Sequence, residues 1–155
     1  MSCDERFNAA LEQVGCSFEA GLKRGGDYAA TVRHDSRIYV SGQIPRIDER
    51  IIHPGRVGAD VSLDQAQEAA KICALRCLAL LQLDAGSLDH IKAVLRINVF
   101  VQSADTFTQQ SEVANSASQI IHSVLGEAGA HTRTSVGVYQ LPKNAPVEID
   151  LIAAI

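Results

Sequence analysis

The sequence predicts an α+β fold, a single mixed β-sheet with two long helices packed on one face, and three observations predict it. Strand-like runs at both ends of the chain alternate apolar and polar residues, as in Val147, Ile149 and Leu151 against Glu148 and Asp150. Two long segments, from Ser62 to about Asp84 and from about Asp105 to Leu125, carry apolar residues at helical spacing. The resulting order of strands, helix, strand, helix and two strands has no internal repeat, low-complexity tract or linker, so residues 1–155 form one domain.

Composition narrows the class. Hydrophobic content of 46% and charged content of 21% are ordinary for a globular chain, and 155 residues suffice to bury a real core. The formal charge of −4 and the lack of any Lys/Arg block argue against a surface that neutralises phosphates, so no nucleic acid is expected as a partner. No apolar run approaches the ~20 residues of a membrane span. The opening MSCDERFNAALEQVG lacks a charged-then-apolar signal layout, so the expected location is cytoplasmic, with no membrane partner. Cys73 and Cys77, spaced i, i+4 in a helical segment, suit buried thiols better than a zinc loop, and the five histidines are scattered. No metal is expected.

Taken in order, residues 4–14 read as a short amphipathic helix with Phe7, Leu11 and Val14 on one stripe, stopped by Gly15. Cys16 to Asp27 is irregular. Tyr28 to Val32 and Ile38 to Ser41 read as a β-hairpin that turns over His34 to Arg37. The stretch 43–60 holds Pro45, Asp48, Pro54, Gly55 and Gly58 and reads as loop, with a short strand at Ile51-Ile52. Ser62 opens the first long helix: Gln65 completes a capping box and Asp64 suits the positive end of the dipole. Ala66, Ala69, Ala70, Cys73, Cys77, Leu80 and Leu81 supply its apolar side, and Gly86 ends it. From His90 to Val101 a long strand presents Ile91, Ala93, Leu95, Ile97, Val99 and Val101 on one face. The second long helix follows, closed by Gly126 and Gly129.

The last quarter carries the chemistry. Thr132 to Tyr139 and Val147 to Ala153 read as strands joined by the turn-forming Leu-Pro-Lys-Asn-Ala-Pro. Paired as an antiparallel hairpin, they would set Arg133, Ser135 and Glu148 on the sheet face away from the core. An open face bearing Tyr28, Arg96, Phe100, Arg133 and Ser135 needs water or a partner, and a second copy of the chain is the simplest partner.

Four stretches in order resemble one family. Gly26-Asp27-Tyr28-Ala29-Ala30, Val40-Ser41-Gly42-Gln43-Ile44-Pro45, Arg133-Thr134-Ser135-Val136, and Val147-Glu148-Ile149 with Ala153 are similar to the RidA/YjgF reactive-intermediate deaminases. The resemblance runs from about Gly26 to the C-terminus and leaves residues 1–24 as an N-terminal extension with a short helix. It implies a chorismate-mutase-like fold, a homotrimer with intersubunit clefts, and cofactor-independent hydrolysis of enamine/imine intermediates such as 2-aminoacrylate to a 2-keto acid and ammonia. Residue by residue, it implies that Arg133 binds the substrate carboxylate and Glu148 handles water and protons. Tyr28 and Ser41 would line the cleft. Ser135 stands where many family members have cysteine. The long loop over 46–60 and the N-terminal extension mark a divergent subgroup.

The chemistry agrees with these residue types. Arginine presents a planar fork that binds a carboxylate bidentately and stays charged at every working pH. A glutamate serves as proton carrier when burial raises its pKa, and Asp150 beside it would raise it further. An imine is already electrophilic, so general acid-base help of ~10²–10⁴-fold suffices without a nucleophile, metal or cofactor. Two other readings stand beside the deaminase: a non-catalytic module that binds a keto acid or similar metabolite, and an endoribonuclease or translation inhibitor. The acidic charge disfavours the last. A blander reading makes Arg133, Glu148, Tyr28 and Ser41 interface, solvated or turn residues.

Overall fold

Ser2 and Ser62 start helices in the same way. Each hydroxyl accepts the backbone N–H of the third helical residue, Glu5 or Gln65, whose side chain accepts the serine's own N–H at 2.7 and 3.0 Å respectively. The computed structural model, which describes residues 1–155, has α1 at Cys3–Val14 and α2 at Leu63–Ala85. Gly15 and Gly86 end them in the left-handed conformation that only glycine adopts freely. The third helix, α3, spans Gln110–Leu125 and starts later than its apolar pattern predicted, without a side-chain cap.

The strands are β1 Thr31–His34, β2 Arg37–Gln43, β3 Arg46–Ile47, β4 Arg50–Ile51, β5 Ala93–Gln102, β6 Thr132–Val138 and β7 Val147–Ala154. Five form one mixed sheet in the order β1-β2-β7-β5-β6, and β3 and β4 make a separate small hairpin inside the 43–60 loop. α2 packs on β2 and β7, α3 packs on β5 and β6, and α1 lies across both helices. Both long helices therefore cover one sheet face, as the α+β reading required. α2 is enclosed from both sides, which is why every residue from Ile72 to Leu81 is buried rather than a single stripe. No helix is long and apolar enough to cross a membrane.

Three local expectations are corrected. β1 starts after Tyr28, because Asp35 takes a positive φ of 51° and a two-residue turn sets His34 opposite Arg37. β5 carries a bulge between Val94 and Arg96, so Val94 enters the core and Leu95 turns outward. Most consequential, β6 and β7 are not a hairpin: β6 runs parallel to β5, and β7 lies between β2 and β5, antiparallel to both. The β5–α3–β6 crossover is the standard way to join parallel neighbours, and it outweighs the turn residues that precede β7.

The register decides which way the site residues face. Arg133 stands opposite Ile97, a core residue, and so lies on the helix-covered side with Ser135. Glu148 stands opposite Phe100 on the open side. That open face also carries Tyr39, Val32 and Val136, which are 42%, 55% and 40% exposed.

Candidate active site

Glu148 is the second residue of β7, where the sheet ends and the 141–146 loop and the end of β2 meet. Its carboxyl packs against Gly42: a Cβ there would come within 2.9 Å of the glutamate Cδ. The three residues Ser41, Gly42 and Gln43 thus have separate jobs. Ser41 donates its hydroxyl to Ala29 O at 2.7 Å and ties down the segment after Tyr28. Gly42 leaves room for Glu148, and Gln43 turns inward to accept from Arg76 Nε at 3.1 Å. A side chain at position 42 would displace this carboxyl.

Glu148 has no hydrogen-bond or ion-pair partner in the chain. Burial raises its pKa above the usual glutamate range, and the Asp150 carboxylate adds to the rise. Asp150 itself accepts from Asn98 Nδ2 at 2.7 Å. The unpaired acid borders a pocket of about 150 Å³. Tyr28 lines this pocket with Glu148, and five cations surround it: Lys23, Arg24, Arg46, Arg76 and Lys143. Arg24 donates to Tyr28 O at 2.6 Å and holds the aromatic in place. Lys23 pairs with Glu49 at 2.9 Å.

Two of the cations are unusual. Arg76, from the middle of α2, is 3% exposed and donates only to neutral oxygens: Gln43 Oε1, Arg46 O at 2.9 Å and Lys23 O at 3.1 Å. Its pKa is lowered, first by burial, with the Arg46 charge contributing in the same direction. Arg46 is 7% exposed, and its guanidinium has no hydrogen-bond or ion-pair partner.

Arg133 is elsewhere. Its Nη1 donates to Asn115 Oδ1 at 2.9 Å and Ser118 Oγ at 3.1 Å, and its Nη2 donates to Ser111 Oγ at 3.0 Å. All three partners belong to α3 and all are neutral. Ser118 also bonds His131 Nε2 at 2.8 Å, and His131 Nδ1 meets Gly129 O at 2.6 Å. Burial first, and then the His122 and Arg133 charges, hold the His131 pKa down. A neutral ring that donates from Nδ1 and accepts from Ser118 satisfies every group in this relay. Two residues on, the Ser135 hydroxyl is buried with no partner at all.

Of the residues singled out in the sequence, the structure therefore brings together Glu148 and Tyr28. Within one chain Arg133 and Ser135 lie on the opposite sheet face from Glu148, because β6 pairs with β5 and not with β7. Ser41 supports the site without lining it. Sequence reasoning missed the cations around the acid. The available signal was Arg76, the one charge in the apolar run Ile72 to Leu81.

Fold and pocket define a one-sheet α+β domain with a small hollow at the strand ends, where an unpaired acid faces several cations. The chain belongs to the YjgF/RidA family: the family profile described as Endoribonuclease L-PSP matches residues 18–155. It is 40% identical over 148 residues to Protein TCP17 of Trypanosoma cruzi, covering 95% of this chain and 92% of that one. It is 28% identical over 133 residues to a 2-iminobutanoate/2-iminopropanoate deaminase of Dermatophagoides farinae, covering 84% and 87%. Among solved structures, Atu1372 of Agrobacterium tumefaciens, a protein of unknown function, superposes with a TM-score of 0.88. That match has 38% identity and covers 99% of this chain and 94% of the other.

Proposed function

We propose that this protein is a cofactor-independent deaminase that hydrolyses small carboxylate-bearing enamine or imine intermediates to a 2-keto acid and ammonia. The observation that carries the reading is Glu148, a half-buried carboxyl without a partner, its pKa raised, at a pocket of metabolite size in a family with a deaminase relative. In the reaction, a C–O bond forms from water to the imine carbon and the C–N bond breaks. Glu148 takes the proton that water loses and delivers it to the departing nitrogen, so it is regenerated each cycle. An enamine first takes a proton at carbon, for which the protonated form of the same group is suited. Tyr28 walls the pocket.

Arg133 keeps the role of carboxylate binder in this proposal, but between copies. Its guanidinium is held by neutral α3 groups, so its charge is uncompensated and its geometry fixed in advance. β6, which carries it, is an edge strand. A homotrimer that covers the exposed apolar face of the sheet would set one copy's Arg133 and Ser135 at a neighbour's Glu148 pocket. Light scattering should give three chain masses; a monomer that still turns over substrate would sink the intersubunit cleft.

The assay is ammonia and keto-acid release from freshly generated 2-aminoacrylate and 2-iminobutanoate, with catalysis above background expected. One observation favours a second reading, the non-catalytic metabolite binder: Arg133 and Glu148 do not meet within a chain. Carboxylate binding that Glu148→Gln leaves unchanged, with no turnover of either imine, would favour that reading.

A further inference from the structure

We propose that Arg46 and Arg76 form a second anion subsite inside the Glu148 pocket, so that the ligand is a dicarboxylate and the substrate is the imine of an acidic amino acid. The assignment deepens the deaminase reading and rests on it for the reaction, but its binding half stands on separate observations.

The first is electrostatic. Arg46 and Arg76 are 7% and 3% exposed as whole residues, both line one pocket, and neither is ion-paired with a carboxylate. Burying one unpaired charge is costly, and burying two like charges together is more so. Arg76 recovers part of that cost through three oxygen acceptors and a face-on contact with the Phe18 ring at 5.7 Å. The Arg46 guanidinium has no partner in the chain, and its nitrogens open onto the pocket. A structural arginine would end on an acid; Glu49, three residues from Arg46, is ion-paired with Lys23, and the Arg46 charge reaches it only at longer range.

The second observation is the one acid at the pocket. Glu148 lies beyond ion-pair distance of every cation there, so the pocket itself separates acid from cations. A molecule filling it would therefore have its reacting carbon toward Glu148 and an anionic end toward Arg46 and Arg76. The third is size. About 150 Å³ is well below the ~300–1,000 Å³ of drug-sized sites, which excludes nucleotides and suits a short-chain acid. A keto acid already places one carboxylate beside the reacting carbon, where the deaminase reading assigns Arg133. The Arg46 and Arg76 guanidiniums are then left for a carboxylate at the far end of the chain. Planar forks match that group bidentately.

The test is calorimetric titration of the intact protein with 2-oxoglutarate and succinate against 2-oxobutanoate, for wild type and Arg46→Met. Arg46 is the better probe because its side chain bonds nothing, whereas Arg76→Met would orphan Gln43 and two carbonyls. The dicarboxylates should bind at least tenfold more tightly than the monocarboxylate, and Arg46→Met should abolish that preference. Without ligand, Arg46→Met should melt higher than wild type, since it removes a like-charge neighbour; a structural arginine would give the opposite. Arg46→Lys, which keeps the charge but loses the fork, supplies the comparison if the methionine variant does not fold. Equal affinities, or a preference that survives in the variant, overturn the subsite. Inorganic phosphate binding as tightly as the dicarboxylates also overturns the dicarboxylate assignment. Because no arm needs turnover, a dicarboxylate preference without deaminase activity sinks only the reaction. Turnover of 2-iminobutanoate without that preference sinks only the subsite.

Discussion

Glu148→Gln should lower imine hydrolysis by ~10²–10⁴-fold while raising thermal stability at neutral pH. The two effects have one cause. In the folded chain the carboxyl is half-buried, unpaired and beside Asp150, so its pKa is raised relative to the unfolded chain. A raised carboxyl pKa means that the native state binds the proton more tightly. The associated stability is complete below the unfolded value and is lost as pH rises through the folded one. At pH 7 the ionised side chain is a liability to the fold that glutamine, neutral at every pH, does not share. The Gln variant should therefore melt a few degrees higher at pH 7, with the gap closing as pH falls below about 4. The wild-type rate should follow the titration of this raised carboxyl, and the variant should lose that dependence. A Gln variant that melts lower at pH 7 would mean that the carboxylate holds the structure together and is not poised for chemistry.

The elements that follow local rules were legible in the sequence. Ser62 with Gln65, and Gly86 beyond the last apolar residue, mark α2 to within a residue, because capping depends only on neighbours in the chain. The inward set on β7, Val147, Ile149, Leu151 and Ala153, is fully buried for the same reason. Pairing is a non-local property. The segment Leu141 to Pro146 carries turn residues, and a turn there is compatible with either a hairpin or a jump across the sheet. The structure has the jump, with Lys143 and Asn144 at positive φ. A strand, a long helix and a strand in succession favour parallel neighbours, and here that preference outweighs the turn residues.

The same error governs the site. Assigning β6 to the wrong neighbour turned Arg133 and Ser135 onto the wrong face, since side chains alternate and a changed partner resets which set faces inward. The tie from Ser41 to Ala29 is likewise invisible to periodicity, because both groups serve an irregular segment. Arg46 and Arg76 come from a two-residue strand and a helix interior, 30 positions apart, and meet only because α2 packs over the end of β2. A lone arginine inside a ten-residue buried run was nevertheless visible, and a buried charge in a helix centre asks for a partner or a ligand.

Arg133→Ala should reduce keto-acid release by ~10²-fold or more, the expected cost of losing a bidentate anchor for the substrate carboxylate. The fold should survive, because Ser111 and Asn115 are exposed and water can replace the guanidinium at them. Arg133→Lys keeps the charge without the planar fork and should recover only part of the loss. Geometry adds a sharper expectation. Arg133 and Glu148 occupy opposite faces of the sheet in one chain, so a site that uses both must draw them from two copies. Arg133→Ala chains still offer Glu148, and Glu148→Gln chains still offer Arg133. Co-refolded in equal amounts, two inactive proteins should regain activity, approaching about one quarter of wild type if subunits assemble at random in a closed ring. Mixing without refolding, which leaves each oligomer pure, should restore nothing. If co-refolded oligomers form and remain inactive while Arg133→Ala alone is impaired, the guanidinium acts on its own α3 face, through the Ser118–His131 relay it already joins, and the cleft between copies is not the site of reaction.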